Sequence, residues 1–241
     1  MIKFGILVKT YNRKNKDNFS LVKRSLNSIL NQTYKNYKLF LIGDRYDNTK
    51  DFNHYCSMFP KEKISFVNLP VAVERDDKTL TGHNLWYSAG VNSTKIGVKM
   101  MIKEGFIYYS RLDDDDYWKP NHLEVLAKGY KSYPDAAFVY TNSLYKKGKQ
   151  MVRFPPEKVK LGYDNLPPRP KRLIQSTTSW RLDKINIPPR TTREQGRVFP
   201  ADADLWERIN AHCKKNGYKT LYIPTTTVVH DEEGSILRGS R

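Results

Sequence analysis

Phe106-Ile107-Tyr108-Tyr109-Ser110-Arg111-Leu112-Asp113-Asp114-Asp115-Asp116-Tyr117-Trp118-Lys119-Pro120 is the stretch on which the fold turns. Its first half, Phe106 to Leu112, reads as a short apolar strand. It runs into four carboxylates, which repel one another and raise each other's pKa unless a cation neutralises them. A hydrophobic strand ending in such a cluster points to a hard divalent metal with an anionic ligand behind it. Taken alone, a run of aspartates is equally compatible with a solvated acidic turn, so its surroundings have to decide.

Working outward, strand and helix patterns alternate through the first half. Strands are expected over Ile2–Val8, Tyr37–Ile42, Ile64–Leu69 and Phe106–Leu112. Helices are expected over Asn18–Leu30, Asp51–Met58 and Asn92–Lys103. The first of these places Leu21, Val22, Leu26, Ile29 and Leu30 on one face. This rhythm predicts an α/β fold with a mostly parallel sheet covered by helices. In such sheets ligands bind beyond the carboxyl ends of the strands. Thr10-Tyr11-Asn12, Asp44 and Asp113–Asp116 all fall at such ends and are expected to share one crevice. Further on, a helix is expected over His122–Lys131, a strand over Ala136–Tyr140 and a helix over Ala203–Asn216. Two short strands, Leu221–Ile223 and Thr226–His230, follow. The Pro- and Lys-rich segment Lys149–Lys171 reads as a loop or short hairpin. No repeat or low-complexity linker divides the chain, and one compact domain is expected.

The 241 residues carry 42 Lys plus Arg against 25 Asp plus Glu, a formal net charge of +17. Such a charge attracts phosphates, nucleic acid or anionic membrane without choosing among them. The two cysteines, Cys56 and Cys213, lie far apart with no zinc-like spacing, which excludes a disulfide framework or zinc cluster. No apolar run approaches the ~20 residues needed to span a bilayer. The first eight residues read as a strand and not as a signal peptide. No transmembrane segment and a cytoplasmic setting are the expectation, in the host cytoplasm if the source is viral.

The aspartate run and its flanks resemble the family 2-like inverting glycosyltransferases of the GT-A fold. In these an apolar strand leads into Leu-Asp-x-Asp-Asp, an aromatic residue, Trp and Pro; here it is Leu112-Asp113-Asp114-Asp115-Asp116-Tyr117-Trp118-Lys119-Pro120. The small form is similar to enzymes with which large algal viruses decorate capsid proteins, and to bacterial enzymes of surface polysaccharide. The resemblance implies a mixed, mostly parallel central sheet, with a nucleotide-binding half over residues 1–120 and an acceptor-binding half over 121–241. It implies transfer of a sugar from a UDP-sugar, UDP-glucose-like, to a hydroxyl of a glycan or glycoprotein acceptor. Mn²⁺ or Mg²⁺ would neutralise the charge on the departing diphosphate.

Carried over residue by residue, the resemblance places Thr10, Tyr11, Asn12 and Arg13 against the nucleotide, and Asp44 on the base. Asp44 accepting the imide N–H of uracil is what favours UDP. Ser28-Ile29-Leu30-Asn31-Gln32-Thr33-Tyr34 matches a run found in many members. Asp113 contacts the ribose or a water on the metal and joins Asp115, the direct metal ligand, while Asp114 or Asp116 can substitute in either role, Asp114 also beside the nucleotide. Where the family often has Arg-Asn-x-Gly-Ile, this chain has Thr94-Lys95-Ile96-Gly97-Val98. The glycine is kept, and Lys95 or Arg75 would supply the positive charge. Family members carry their base in Glu-Asp-x-Asp-Leu-Trp. Here Ala201-Asp202-Ala203-Asp204-Leu205-Trp206 retains both aspartates, with Asp202 as the base and Asp204 as the alternative. His230 falls where an additional metal or phosphate ligand is often found, and Arg238 in the tail is a candidate diphosphate contact. Trp86 and Trp180 are each compatible with stacking on a sugar ring or with a place in the core.

Two other classes compete. A metal-dependent nucleotidyltransferase would also use clustered aspartates, but Val8-Lys9-Thr10-Tyr11-Asn12 lacks the glycines of a phosphate loop. A basic nucleic-acid-binding module would account for the charge, but no helix-turn-helix, finger or RNP-like motif is visible, and no specific nucleic acid is expected.

Overall fold

Alternate residues of the first strands face opposite ways, and both ways are buried. In this computed structural model, which describes residues 1–13, 18–147, 150–154, 161–163 and 173–231, Ile6 and Val8 pack with one apolar layer and Leu7 with the other. Leu39 and Leu41 face the first layer, Phe40 and Ile42 the second. A strand apolar on both faces requires helices on both faces, and this sets the architecture.

In chain order the elements are β1 (Phe4–Thr10), α1 (Asn18–Leu30), β2 (Tyr37–Gly43), α2 (Lys50–Ser57), β3 (Ile64–Asn68), α3 (Val73–Asp76), α4 (Gly82–Ser88), α5 (Val91–Lys103), β4 (Tyr108–Arg111) and β5 (Tyr117–Trp118). There follow α6 (His122–Ser132), β6 (Ala136–Lys147), β7 (Gln150–Phe154), β8 (Gly162–Tyr163), β9 (Thr178–Arg181), α7 (Thr192–Gln195), α8 (Ala201–Asn216) and β10 (Lys219–Asp231). The sheet runs β3-β2-β1-β4-β9-β6-β10-β5, with β7 beside β6 and β8 beside β10. The β3-β2-β1-β4 half is parallel. β9 then enters antiparallel between β4 and β6. The expected mixed α/β sheet is present. Apolar residues of α1, α2 and α6 cover one face, and those of α5 and α8 the other.

Gly97 belongs to this packing. A Cβ there would overlap Leu7 Cδ1 of β1, and Ile42 Cγ1 lies at 3.2 Å. Only a glycine lets α5 approach the sheet this closely, a packing reason for the glycine that the sequence pattern retains.

Two expectations are corrected, and one open alternative is decided. Residues 219–231 form one strand and not two. Pro224 sits inside it, and the register against β6 shifts between Tyr222 and Thr226 and again between Thr226 and Val228. A bulge accommodates the residue that cannot donate to the ladder. The helix expected from Ala203 begins at Ala201, which brings Asp202 into its first turn. Trp180 lies on β9, 5% exposed, its ring 4.1 Å from that of Tyr109 and stacked on Phe138. It is a core residue and cannot meet a sugar. Of the segment expected as a loop or hairpin, β7 pairs antiparallel with β6, and much of the remainder lies outside the described residues.

Candidate active site

Because β1, β2 and β4 run parallel, Tyr11–Arg13, Asp44 and Asp113–Asp116 leave the sheet at the same edge. Backbone N–H of Asp44 donates to Thr10 O at 2.8 Å, fastening the first two segments together. Asp44 is 4% exposed; Arg75 Nε donates to its Oδ2 at 2.9 Å and Ser93 Oγ to its Oδ1 at 3.3 Å. The same Arg75 guanidinium lies 3.4 Å from the Tyr11 ring centroid. Arg13 also lies over this ring, at 4.5 Å, so Tyr11, Arg75 and Asp44 form one wall in which guanidiniums cover the aromatic ring beside a buried carboxylate. Thr10 turns elsewhere, its Oγ1 2.7 Å from Tyr46 Oη. Asn12 is exposed.

The four aspartates have four different surroundings. Asp113 is the most open, its side chain 20% exposed against 6%, 1% and 0% for Asp114, Asp115 and Asp116. Arg13 grips Asp114 with two hydrogen bonds of 2.8 and 2.6 Å, reaches Asp115 Oδ2 at 3.7 Å, and also donates to Asn18 Oδ1 at 2.8 Å. Burial opposes the Arg13 charge, but Asp114 more than offsets this and holds the guanidinium well above its ordinary pKa. Arg13 and Asp114, both expected against the nucleotide, are therefore bonded to each other. Helix α1 secures the backbone of the turn: Arg24 donates to Asp115 O at 2.7 Å and Ser25 to Asp113 O at 3.2 Å. Ser176 accepts from Asp113 N–H at 3.1 Å and donates to Asp116 Oδ2 at 2.5 Å.

His230, at the end of β10, meets the turn from the other side, its Nδ1 2.8 Å from Asp116 Oδ1. Burial would lower its pKa, but the carboxylates of Asp116, Asp115 and Asp113 outweigh burial and bring it up to about 9. Carboxylate oxygens and an imidazole are donor types that divalent cations accept. The donor chemistry of Asp113, Asp115 and His230 therefore fits such an ion. Among the described residues no three His, Cys, Asp or Glu side chains form a ready-made metal cage.

Arg111 supports the turn from within the sheet. It is 5% exposed and donates to Asp113 Oδ1 at 2.9 Å. Burial would lower its pKa; Asp113 first, then Tyr109 and Asp202, hold it above the ordinary value. Asp202 is thus within electrostatic reach of the residue that binds Asp113. It lines a cavity of about 410 Å³ with Tyr87, Leu173, Val198, Phe199, Pro200, Ala203 and Trp206. It does not cap α8: Pro200 holds that position, and Asp202 Oδ1 accepts from Ala203 N–H at 2.8 Å.

Asp204 faces the other way. It is fully buried and receives Arg190 at 2.6 and 3.1 Å, Arg208 at 2.8 Å and Arg197 at 3.5 Å. Burial alone would raise its pKa; Arg190 and Arg208 hold it below the ordinary carboxylate range. Lys95 pairs with Glu194 of α7 at 2.6 Å, and Arg238 lies outside the described residues. Sequence reading passed over Arg111 and Ser176. Arg111 had one visible signal, a charge inside an apolar strand; Ser176 had none, since it comes from a segment 60 residues beyond Asp116.

No protein-family model matches the chain. An uncharacterized glycosyltransferase, R139, of Acanthamoeba polyphaga mimivirus is 36% identical over 240 residues, covering 98% of this chain and 96% of the relative. The chain belongs to this family of glycosyltransferases. Among solved structures, residues 1–349 of S. aureus TarS superpose with a TM-score of 0.65 at 12% identity, over 98% of this chain and 62% of that one. The same protein has been solved with UDP and with UDP-GlcNAc. The mannosyltransferase PcManGT from Pyrobaculum calidifontis, solved with GDP-Man and Mn²⁺, superposes with a TM-score of 0.55 at 12% identity, over 95% of this glycosyltransferase and 56% of its own chain. These likenesses confirm the GT-A fold. No described helix is long and apolar enough to cross a membrane.

Proposed function

We propose that this glycosyltransferase transfers a sugar from a UDP-sugar to an acceptor hydroxyl with inversion. The observation that carries the reading is the presence of two carboxylate centres, the aspartate turn, whose Asp113 is held by Arg111, and Asp202 at the edge of a cavity of about 410 Å³. One suits a diphosphate and the other an attacking hydroxyl. Arg75, stacked on Tyr11, and Asp44 offer a nucleotide a planar cation and a carboxylate acceptor. The UDP and UDP-GlcNAc complexes of TarS support the same nucleotide.

In the reaction, Asp202 accepts the proton of the acceptor O–H as that oxygen bonds to the anomeric carbon. The bond from this carbon to the diphosphate oxygen breaks, and its electron pair leaves with UDP. Attack opposite the leaving group inverts the anomeric centre. Asp113, Asp115 and His230 would hold a divalent cation, Mn²⁺ or Mg²⁺, which when bound offsets the charge on the diphosphate. The 1–120 half supplies the nucleotide wall and the 121–241 half supplies Asp202, in a cytoplasmic setting.

The test is UDP release from UDP-glucose and UDP-GlcNAc, with GDP-mannose as control and Mn²⁺ or EDTA present. Metal-stimulated release from a UDP-sugar, abolished in Asp115→Ala, is expected. Release from none of the donors, or an unchanged Asp115→Ala enzyme, defeats the reading.

A further inference from the structure

Three of the four tryptophans are inside: Trp118, Trp180 and Trp206 are 2%, 5% and 1% exposed. Trp86 is 51% exposed. An indole left half in water forgoes the burial free energy its counterparts gain. It is also not isolated. On the short helix α4 its ring lies 5.2 Å from that of Tyr87 and 6.4 Å from that of His83, and His83 lies 5.8 Å from Tyr87. Tyr87 in turn lines the Asp202 cavity together with Phe199 and Trp206, and α4 packs on both α7 and α8. The aromatic surface is therefore continuous from the cavity beside Asp202 out to solvent at Trp86.

We propose that the acceptor is a glycan of at least two sugar rings, one seated in the cavity at Asp202 and the next stacked on Trp86. This deepens the glycosyltransferase reading and rests on it. A pyranose ring presents an apolar C–H face and a hydroxyl edge. Aromatic side chains match the first, and a few placed polar groups match the second. A cavity of about 410 Å³ lies at the small end of the ~300–1,000 Å³ range of ligand pockets. It suits a terminal ring and leaves the rest of a chain to the outer surface. Val198, 65% exposed, adds an apolar contact on the cavity rim. A nucleic-acid strand would also stack on aromatics, but its phosphates would meet the Asp202 carboxylate; glycan hydroxyls donate to it.

The test compares wild type, Trp86→Ala and Trp86→Phe with N-acetylglucosamine and glucose against chitotriose and maltotriose. Binding is read by saturation-transfer NMR, and turnover by sugar transfer. The expected result is that at least one trisaccharide outperforms its monosaccharide in wild type. Trp86→Ala should raise the KM for that trisaccharide about tenfold, the upper end for one aromatic contact. Its kcat, its monosaccharide kinetics and its UDP release into water should be unchanged, and Trp86→Phe should recover part of the loss. Equal trisaccharide kinetics in wild type and Trp86→Ala, or no trisaccharide binding to wild type, overturns the proposal. Trisaccharide binding that depends on Trp86, with no UDP release from any donor, instead overturns the glycosyltransfer reading and leaves the glycan surface standing.

Discussion

The two aspartates of Asp202-Ala203-Asp204 are two residues apart and chemically identical, yet the structure separates their work. Asp202 borders the cavity, while Asp204 is enclosed by three arginines. A carboxylate saturated by guanidiniums is a poor proton acceptor. We therefore expect Asp202→Asn to lower kcat by roughly 10²–10⁴-fold, the range for a lost general base, with the donor KM unchanged. Steady-state kinetics check this; a shift confined to KM would reassign Asp202 to binding. Asp204→Asn should act chiefly on stability, by about 1–3 kcal/mol in urea unfolding, because the arginines are 25–46% exposed and water screens part of the loss. The Arg13–Asp114 pair is buried on both sides. Asp114→Asn should cost more, roughly 2–4 kcal/mol, because a buried guanidinium loses its two-hydrogen-bond partner and keeps the more distant Asp115 carboxylate at 3.7 Å. A loss below 1 kcal/mol would show that the pair is not what holds the turn.

At the scale of elements, close approach decides as much as periodicity. Gly97 brings α5 against Leu7 and Ile42. Gly97→Ala should therefore destabilise by about 1–3 kcal/mol, the usual cost of overpacking, although alanine is the better helix former. Thermal unfolding reads the sign: a higher Tm would mean that α5 shifts freely. The long amphipathic helices and apolar strands were legible because their own patterns suffice. The short elements α3, α4, α7, β5 and β9 were not, since four residues or fewer, or a seven-residue helix, carry too little periodicity. β9 shows the consequence. Trp180, which by sequence could equally have stacked on a sugar ring, sits on a strand that β4 and β6 bracket within the sheet.

For the molecule as a whole, stability is linked to pH through His122. Its ring is fully buried, stacked on Trp118 at 4.2 Å, with Nδ1 2.7 Å from Thr227 Oγ1. Burial pushes its pKa down to about 3. The unfolded chain takes up this proton near pH 6.5, while the folded one resists it until about pH 3. The contribution is thus complete above pH 6.5 and is lost as the pH falls from 6.5 towards 3. His122→Phe keeps the stacking and removes the titration. Its unfolding free energy, measured in urea at pH 7 and pH 5, should fall less on acidification than that of wild type. Equal slopes would exclude His122 as a contributor.

The sequence by itself determined the α/β class, the strand ends that gather Tyr11–Arg13, Asp44 and Asp113–Asp116, and the order of carboxylates that carries the family resemblance. Parallel strands place their carboxyl ends at one edge whatever the details of packing. Only the tertiary structure decided which identical residues do which work: Asp113 open and Asp114 bound by Arg13, Asp202 at a cavity and Asp204 among arginines, Trp180 in the core and Trp86 at the surface. Burial and ion pairing depend on partners up to about a hundred positions away, such as Arg13 for Asp114. Local sequence holds no record of them, because they exist only once the sheet has brought distant segments together.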